Sequence, residues 1–132
     1  MEQNIFALLQ SIAAVQALVS SRVYPVELPP DPIYPCISYR LIGGSQEETF
    51  DTAGAQQQRF EFNCYGSNYA SAVAVRRALI GSGDSPALNG FGGLVADGSL
   101  LQLVTKINEM DFFDSDAREY RAMVEFYFHF SL

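Results

Sequence analysis

The sequence predicts an α+β domain in which two α-helices pack on one face of a mainly antiparallel β-sheet. Two observations support this: apolar residues alternate in Arg59–Tyr65 and Tyr120–Phe130, and they recur with helical spacing in residues 2–20 and Tyr69–Ile80. Alternation fits a strand with one buried face, because successive side chains point to opposite sides of a sheet. With 132 residues, the chain is expected to form a single domain over residues 1–132.

The two predicted helices are recognised by different sequence features. In residues 2–20 one apolar stripe is formed by Ile5, Leu8, Leu9, Ile12, Val15 and Val19. This helix carries no Lys or Arg on its polar side, so we expect it to cover the sheet and not to lie on a membrane. Tyr69–Ile80 has Ser67 or Asn68 as its N-cap and Gly81 as a left-handed stop.

The pairing of two strands decides the state of the two cysteines. Cys36–Ile42 is predicted to run antiparallel to Arg59–Tyr65. Only a register with odd residue sums puts the apolar residues of both strands on one face, because a slip of one residue inverts the faces. That face is formed by Ile37, Tyr39, Leu41, Phe60, Phe62 and Cys64. Cys36 and Cys64 then point to opposite sides, and no disulfide is expected.

Four connecting segments are predicted. Leu28–Pro35, with four prolines, is a stiff surface connector, with a recognition segment for an aromatic groove as the alternative. Gly43–Gln58 is a long, polar hairpin excursion that reaches a neighbouring subunit. Leu94–Leu101 is an Asp-Gly hairpin. Asn108–Glu119 is a solvated acidic turn, since a calcium loop of the EF-hand type needs a glycine that is missing here.

The charge of the chain limits its partners. Its net charge is -7, with 15 acidic and 8 basic residues. Binding to nucleic-acid phosphate needs a basic surface, so the excess of acidic residues argues against nucleic-acid binding. The same excess is compatible with a surface that nucleic acid passes without binding. No apolar run approaches the roughly 20 residues of a membrane span. The start of the chain lacks the positive flank of a secretory signal, which predicts a cytosolic product.

No catalytic, cofactor or metal site is predicted. His129 is the only histidine, so a Ser-His-Asp or Cys-His arrangement would have to include it. Nothing else in the sequence marks it, and an imidazole at a surface or interface is the simpler interpretation. A zinc site needs at least three converging ligands, which cysteines on opposite faces do not offer. Gly90–Gly93 lacks the Lys and Ser/Thr of a phosphate-binding loop.

Several stretches together resemble a phage protein family. They are an alanine-rich helix ending in an Arg-Val-Tyr-Pro strand (Ile5–Tyr24), an Ile-Ser-Tyr strand (Pro35–Arg40), Cys-Tyr-Gly-Ser-Asn-Tyr before a second alanine-rich helix (Phe60–Leu79), and the aromatic strand Tyr120–Phe130. The order of elements resembles the tail completion proteins of long-tailed phages, also called tail terminator or tail-to-head joining proteins. The resemblance covers nearly the whole chain.

The resemblance implies a structural protein without enzymatic activity. It implies a homo-hexameric ring that caps the tail tube, stops its polymerisation and docks to the head connector. The expected partners are other copies of the chain, the major tail tube protein and the head-tail connector protein, while DNA only passes through the lumen and no membrane is bound. The expected location is the tail-head junction of the virion, after assembly in the host cytoplasm.

Residues for subunit or tube contacts are chosen from loops and half-free sheet faces. The candidates are Glu47, Glu48, Phe50, Asp51, Phe112, Phe113, Tyr127 and His129. Acids in Gly43–Gln58 or Asn108–Glu119 are candidates for lining the channel. Two alternatives stay open: a head-side connector or adaptor ring, and a cytosolic protein-binding module that uses Pro29–Pro35 or the acidic loop.

Overall fold

A computed structural model describes residues 2–46, 55–84, 86–94, 98 and 100–131. These residues form helices α1 (Glu2–Gln10), α2 (Ala13–Val19) and α3 (Tyr69–Ile80), and strands β1 (Val23–Pro25), β2 (Cys36–Gln46), β3 (Ala55–Gly66), β4 (Gly93–Leu94), β5 (Leu100–Asp114) and β6 (Glu119–Ser131). The strands form one sheet in the order β1-β2-β3-β6-β5-β4. Only β1 and β2 run parallel. The predicted α+β class is confirmed.

The prediction of one continuous helix over residues 2–20 is wrong, because the chain breaks between α1 and α2. Ile12 is extended, with φ -89 and ψ 104. The Ser11 hydroxyl donates to the Leu8 carbonyl at 2.6 Å, a local bond that competes with continuation of the helix. Ile5, Leu9 and Val15 are nonetheless fully buried, so the predicted stripe faces the core on both sides of the break.

The predicted bounds of α3 are confirmed. Its N-cap is Asn68, whose side-chain oxygen accepts from the Ser71 amide at 2.8 Å. Gly81 has the expected positive φ of 89, but its ψ of 179 lies in a region open essentially to glycine alone and not in the left-handed helical region. Tyr69, predicted on the apolar stripe, is exposed at the start of the helix.

The odd register between β2 and β3 is confirmed. Ile37 faces Cys64, Tyr39 faces Phe62 and Leu41 faces Phe60. Both cysteines are free and buried. Leu41, expected in the core, is 42% exposed, because it lies at a bulge where the register of the two strands shifts.

Two segments predicted as loops are largely strand. β2 continues to Gln46 and β3 begins at Ala55, so only the middle of Gly43–Gln58 lies outside the described residues. β5 continues to Asp114, and the turn before β6 is confined to residues 115–118. Both predictions rested on polar composition, which pairing with a neighbouring strand overrides. Glu109 and Asp111 lie two residues apart on β5, so the pleat points both side chains to the same face of the sheet.

The core lies between the helices and one face of the sheet. Its centre is a group of buried aromatic side chains, Phe60, Phe62, Phe126, Phe128 and Phe130. Phe60 and Phe128 meet edge to face at 5.2 Å between ring centroids, and Phe62 and Phe126 do so at 5.8 Å. The predicted apolar face of the last strand is therefore the face that the helices cover.

Candidate interaction surfaces

The face of the sheet opposite the helices, here called the open face, carries a row of charges across three strands. Glu61 and Glu125 are direct cross-strand neighbours, and they are only 7% and 6% exposed. Arg40 Nη2 lies 2.7 Å from Glu61 Oε2, and Arg59 Nη2 lies 2.7 Å from Glu125 Oε2. Two adjacent carboxylates would repel each other, so the flanking guanidinium groups balance the charge of the row.

The arginine nearest the centre of this row is held in its charged form. The hydrogen bond from Arg59 to Glu125 raises the pKa of Arg59 above its ordinary value. Asn108 Nδ2 also donates to Glu125 Oε2 at 3.2 Å. Glu125 therefore accepts hydrogen bonds from β3 and from β5, which ties three neighbouring strands together on the open face.

Two of the predicted contact residues, Tyr127 and His129, lie close together on the open face. Tyr127 and His129 are half-buried on β6, with ring centroids 6.2 Å apart. They face Arg59 and Gln57 of β3, so they continue the charged row towards the end of the sheet at Ser131. The structure thus brings Tyr127 and His129 together, as an aromatic extension of a polar face.

The other two described contact residues do not join them. Phe112 lies on the open face, with Arg121 Cζ 4.1 Å from its ring centroid. Phe113 points to the helix side, 4.7 Å from the Tyr120 ring. Phe112 pairs with Arg121, which is separated from Tyr127 by about 20 Å along β6 at the usual rise of a strand. The predicted contact residues therefore belong to separate surfaces.

The described ends of the strands β2 and β3 and the turn between β5 and β6 lie at opposite ends of the sheet. Glu47, Glu48, Phe50 and Asp51 lie outside the described residues, but the strands that flank them end where Ala55 pairs with Ser131. The turn between β5 and β6 lies at the other end, where Gly66 pairs with Tyr120.

A second ion-pair cluster, missed in the sequence, ties α3 to β5. Arg76 Nη1 lies 2.5 Å from Asp111 Oδ1, and Arg76 Nε lies 3.5 Å from Glu109 Oε1. The Tyr69 hydroxyl donates to Asp111 Oδ2 at 2.8 Å. These two donors, Tyr69 first, hold the pKa of Asp111 below its usual range. The only sequence signal was Arg76 near the end of a helix, which did not indicate a partner on a distant strand.

The proline-rich segment, Leu28–Pro35, is attached near the start of β6. The Tyr34 hydroxyl donates to Glu119, and this bond raises the pKa of Tyr34. Arg22 Nε donates to the Pro35 carbonyl at 3.0 Å. These bonds attach the segment to the start of β6 and to the chain that follows α2.

In residues 2–46, 55–84, 86–94, 98 and 100–131, no group of three or more His, Cys, Asp or Glu side chains is placed to hold a metal ion. None of the helices in those ranges has the length and apolar character to cross a membrane.

Comparison with known proteins assigns the family. The model of the family described as "Tail completion protein gp17" matches residues 3–130. Among solved structures, a chain of "Virion of native gene transfer agent (GTA) particle" is similar in fold, with a TM-score of 0.71 and 18% identity over 100% of this chain and 95% of that chain. No curated protein matches the sequence. Because the family match spans nearly every residue, the protein belongs to the tail completion protein gp17 family and is a structural component of a phage-type tail.

Proposed function

We propose that the protein forms a homo-hexameric ring that caps the tail tube, terminates its polymerisation and joins the finished tail to the head connector. The family match over residues 3–130 is the observation that carries this proposal. The ring works by shape and complementary surfaces and makes or breaks no covalent bond. In the virion it lies at the tail-head junction.

The two ends of the sheet suit a subunit that contacts different partners above and below. β6 has 13 residues and spans about 40 Å at the usual strand rise. The first described residue of β3, Ala55, lies beside Ser131, and Gly66 at the other end of β3 lies beside Tyr120. We assign Glu47, Glu48, Phe50 and Asp51 to contacts at the first end, and Phe112 and Phe113 to contacts at the second.

The charge of the chain supports a ring through which DNA passes. A lumen that carried a basic surface would hold phosphate and slow the passage of DNA. The chain has a net charge of -7, and the arginines of the open face are neutralised by Glu61 and Glu125. Acids of the segments around residues 43–58 or 108–119 are our candidates for the lumen wall.

The proposal is tested by adding the purified protein to polymerising tail tube protein and measuring tube lengths by electron microscopy. We expect growth to stop and each stopped tube to carry a ring at one end. Deletion of the gene should give unjoined heads and tails of irregular length. Tubes that grow to the same length with or without the protein would refute the proposal, as would deletion particles with joined heads and normal tails. Binding to heads but not to tubes would indicate a head-side adaptor instead.

A further inference from the structure

The end of the β5–β6 hairpin is exposed on both sides. Every residue from 106 to 118 is exposed, and Met110, Phe112 and Phe113 are 47%, 38% and 52% exposed. Along this half, β5 pairs with β6 alone, since β4 reaches only Leu100 and Leu101. We call Met110–Arg118 the hairpin end. It combines apolar side chains with the acids of its turn.

A concave groove lies between α2 and α3, in contrast to the protruding hairpin end. It measures about 370 Å³ and is lined by Ala14, Arg77, Ala78, Ile80, Gly81 and Ser82. Alanine and glycine leave room above the groove floor for a larger apolar side chain, and an aromatic ring buries the most apolar area in such a space. We call this the helical groove. Arg77 is exposed at its rim.

Met110 and Asp111 accept hydrogen bonds from Arg76 of α3, but the residues beyond them are held away from the helical groove of the same chain. The Phe113 ring contacts Tyr120, which in turn contacts Tyr69, the first residue of α3. The groove is formed by the last residues of that helix, and the 12 residues of α3 separate the two by about 18 Å. Contact between the surfaces therefore requires two copies of the chain.

The charges of the two surfaces are complementary. Arg40, Arg59, Arg76 and Lys106 each have a carboxylate partner within their own chain. Arg77 has no carboxylate within ion-pair distance among the described residues, and neither have Arg22, Arg121 and Arg118, the last of which lies in the hairpin end itself. The same part of the chain offers no cation to Asp116. Copies with a net charge of -7 repel each other, so a contact that brings Asp116 to Arg77 favours association in one orientation.

We propose that neighbouring subunits join head to tail, with the hairpin end of one copy seated in the helical groove of the next. Phe113 fills the groove, and Asp116 pairs with Arg77 at its rim. A contact between two different surfaces of identical chains is heterologous, and such contacts close into rings when the rotation permits. The inference rests on the proposed ring function and names its subunit interface.

Charge reversals on the two surfaces test this interface. Asp116→Arg alters the hairpin end and Arg77→Glu alters the groove, and both side chains are exposed, so folding should be retained. Asp114 is left unchanged, because its Oδ1 accepts from the Asp116 and Ala117 amides and holds the turn. Ring formation is measured by analytical ultracentrifugation, both for the free protein and for protein bound to tube ends.

Each single variant should need about tenfold more protein to assemble, or fail to assemble, which corresponds to a loss of about 1.4 kcal/mol or more per contact. A mixture of the two variants should form rings again, because each hairpin end then meets a groove of opposite charge. The double variant should form rings by itself for the same reason. A two-fold contact between two hairpin ends would be unaffected by Arg77→Glu alone, and the double variant would then assemble no better than Asp116→Arg.

The matched control is Glu27→Arg, which reverses an exposed acid in the proline-rich segment and should leave assembly unchanged. If Glu27→Arg prevents assembly and Arg77→Glu rescues it, the proline-rich segment occupies the groove and the proposal is wrong. If the single variants assemble like the wild type, the proposed interface is wrong, whereas the proposed function is still supported if the protein stops tube growth. Wild-type rings that fail to stop tube growth overturn the proposed function alone, and a wild type that stays monomeric in both settings overturns both.

Discussion

Gly66 lies where β3 passes into α3 and leaves no room for a side chain. A Cβ atom there would lie 2.2 Å from Ser71 Oγ and 2.7 Å from the Ala72 amide nitrogen. The second of these atoms belongs to the backbone of the first helical turn and cannot move without displacing the helix. The connection between the two elements thus depends on the absence of a single methyl group.

Gly66→Ala should lower the free energy of unfolding by about 2 kcal/mol, a typical cost of overpacking. Denaturant unfolding followed by circular dichroism measures the change. Gly43→Ala is the matched control, because a Cβ at Gly43 meets nothing within 4 Å. Equal losses in the two variants would contradict this account of Gly66.

The N-cap of α3 gives a second prediction at this scale. Asn68→Ala removes the bond to the Ser71 amide and should cost about 1 kcal/mol of stability. Ser67→Ala, one residue earlier, should leave stability within about 0.5 kcal/mol of the wild type, as is usual for a surface change. A larger loss for Ser67→Ala in the same unfolding experiment would show that the cap is assigned to the wrong residue.

Burial determines how the two thiols react. It raises the pKa of Cys64 to about 12 and that of Cys36 to about 11, from an ordinary value of 9.0. The folded protein should therefore not react with a thiol reagent at pH 8, and two thiols should react once the chain is unfolded without reductant. Fewer than two would reveal a bridge.

The same raised pKa values predict a loss of stability in base. The unfolded thiols ionise near pH 9 while the folded thiols stay protonated, so this contribution is complete below pH 9 and falls as the pH rises towards 11 to 12. Replacing both cysteines with alanine should reduce the loss between pH 9 and 11. An unchanged pH dependence would assign the loss to other groups.

Among the helices and strands, limits that depend on neighbouring residues could be predicted from the sequence, and limits that depend on pairing with distant residues could not. The limits of α3 are marked by Asn68, Gly81 and the apolar stripe, all of which lie in the helix or directly beside it in the sequence. The start and end of this helix could therefore be predicted. The break at Ser11 was missed because hydrophobic periodicity continues across it. The extension of β5 to Asp114 was missed because its acids suggest a loop, whereas pairing with β6 makes a strand.

The candidate surfaces show the same division. His129 and Tyr127 were placed on the mixed face of their strand by alternation alone, and the structure brings them together there. The bond from Arg59 to Glu125 joins residues 66 positions apart, so no local pattern indicates it. The same holds for the contact between Arg76 and Asp111, which are 35 positions apart.

The cross-strand charges predict a coupling between β3 and β6. Arg59→Met leaves Glu125 buried beside Glu61 without its guanidinium partner and should lower the melting temperature. Adding Glu125→Gln should recover part of the loss, because it removes the unpaired charge. Thermal unfolding of both single variants and the double variant measures this coupling. Losses that simply add would show that the two residues act independently.

For the whole molecule, the order of the strands in the sheet differs from their order in the chain. β6, the last strand described, lies between β3 and β5 and pairs with both along its length. Three phenylalanines of the core, Phe126, Phe128 and Phe130, belong to it. Without β6 the sheet separates into two parts, each with an uncovered apolar face.

A chain that ends at Asp114 should therefore show no cooperative unfolding transition. Differential scanning calorimetry of this truncated chain and of the full chain makes the comparison. The full chain should give a single heat-absorption peak, and the truncated chain should give none. A cooperative peak from the truncated chain would mean that β1, β2 and β3 with the helices form a stable unit without β6.

The central position of β6 also affects synthesis on the ribosome. Because non-local strand pairs form only after both strands are available, the sheet cannot close until the residues up to Ser131 have left the exit tunnel. A nascent chain or a prematurely stopped product accordingly lacks a finished surface to offer to complete copies.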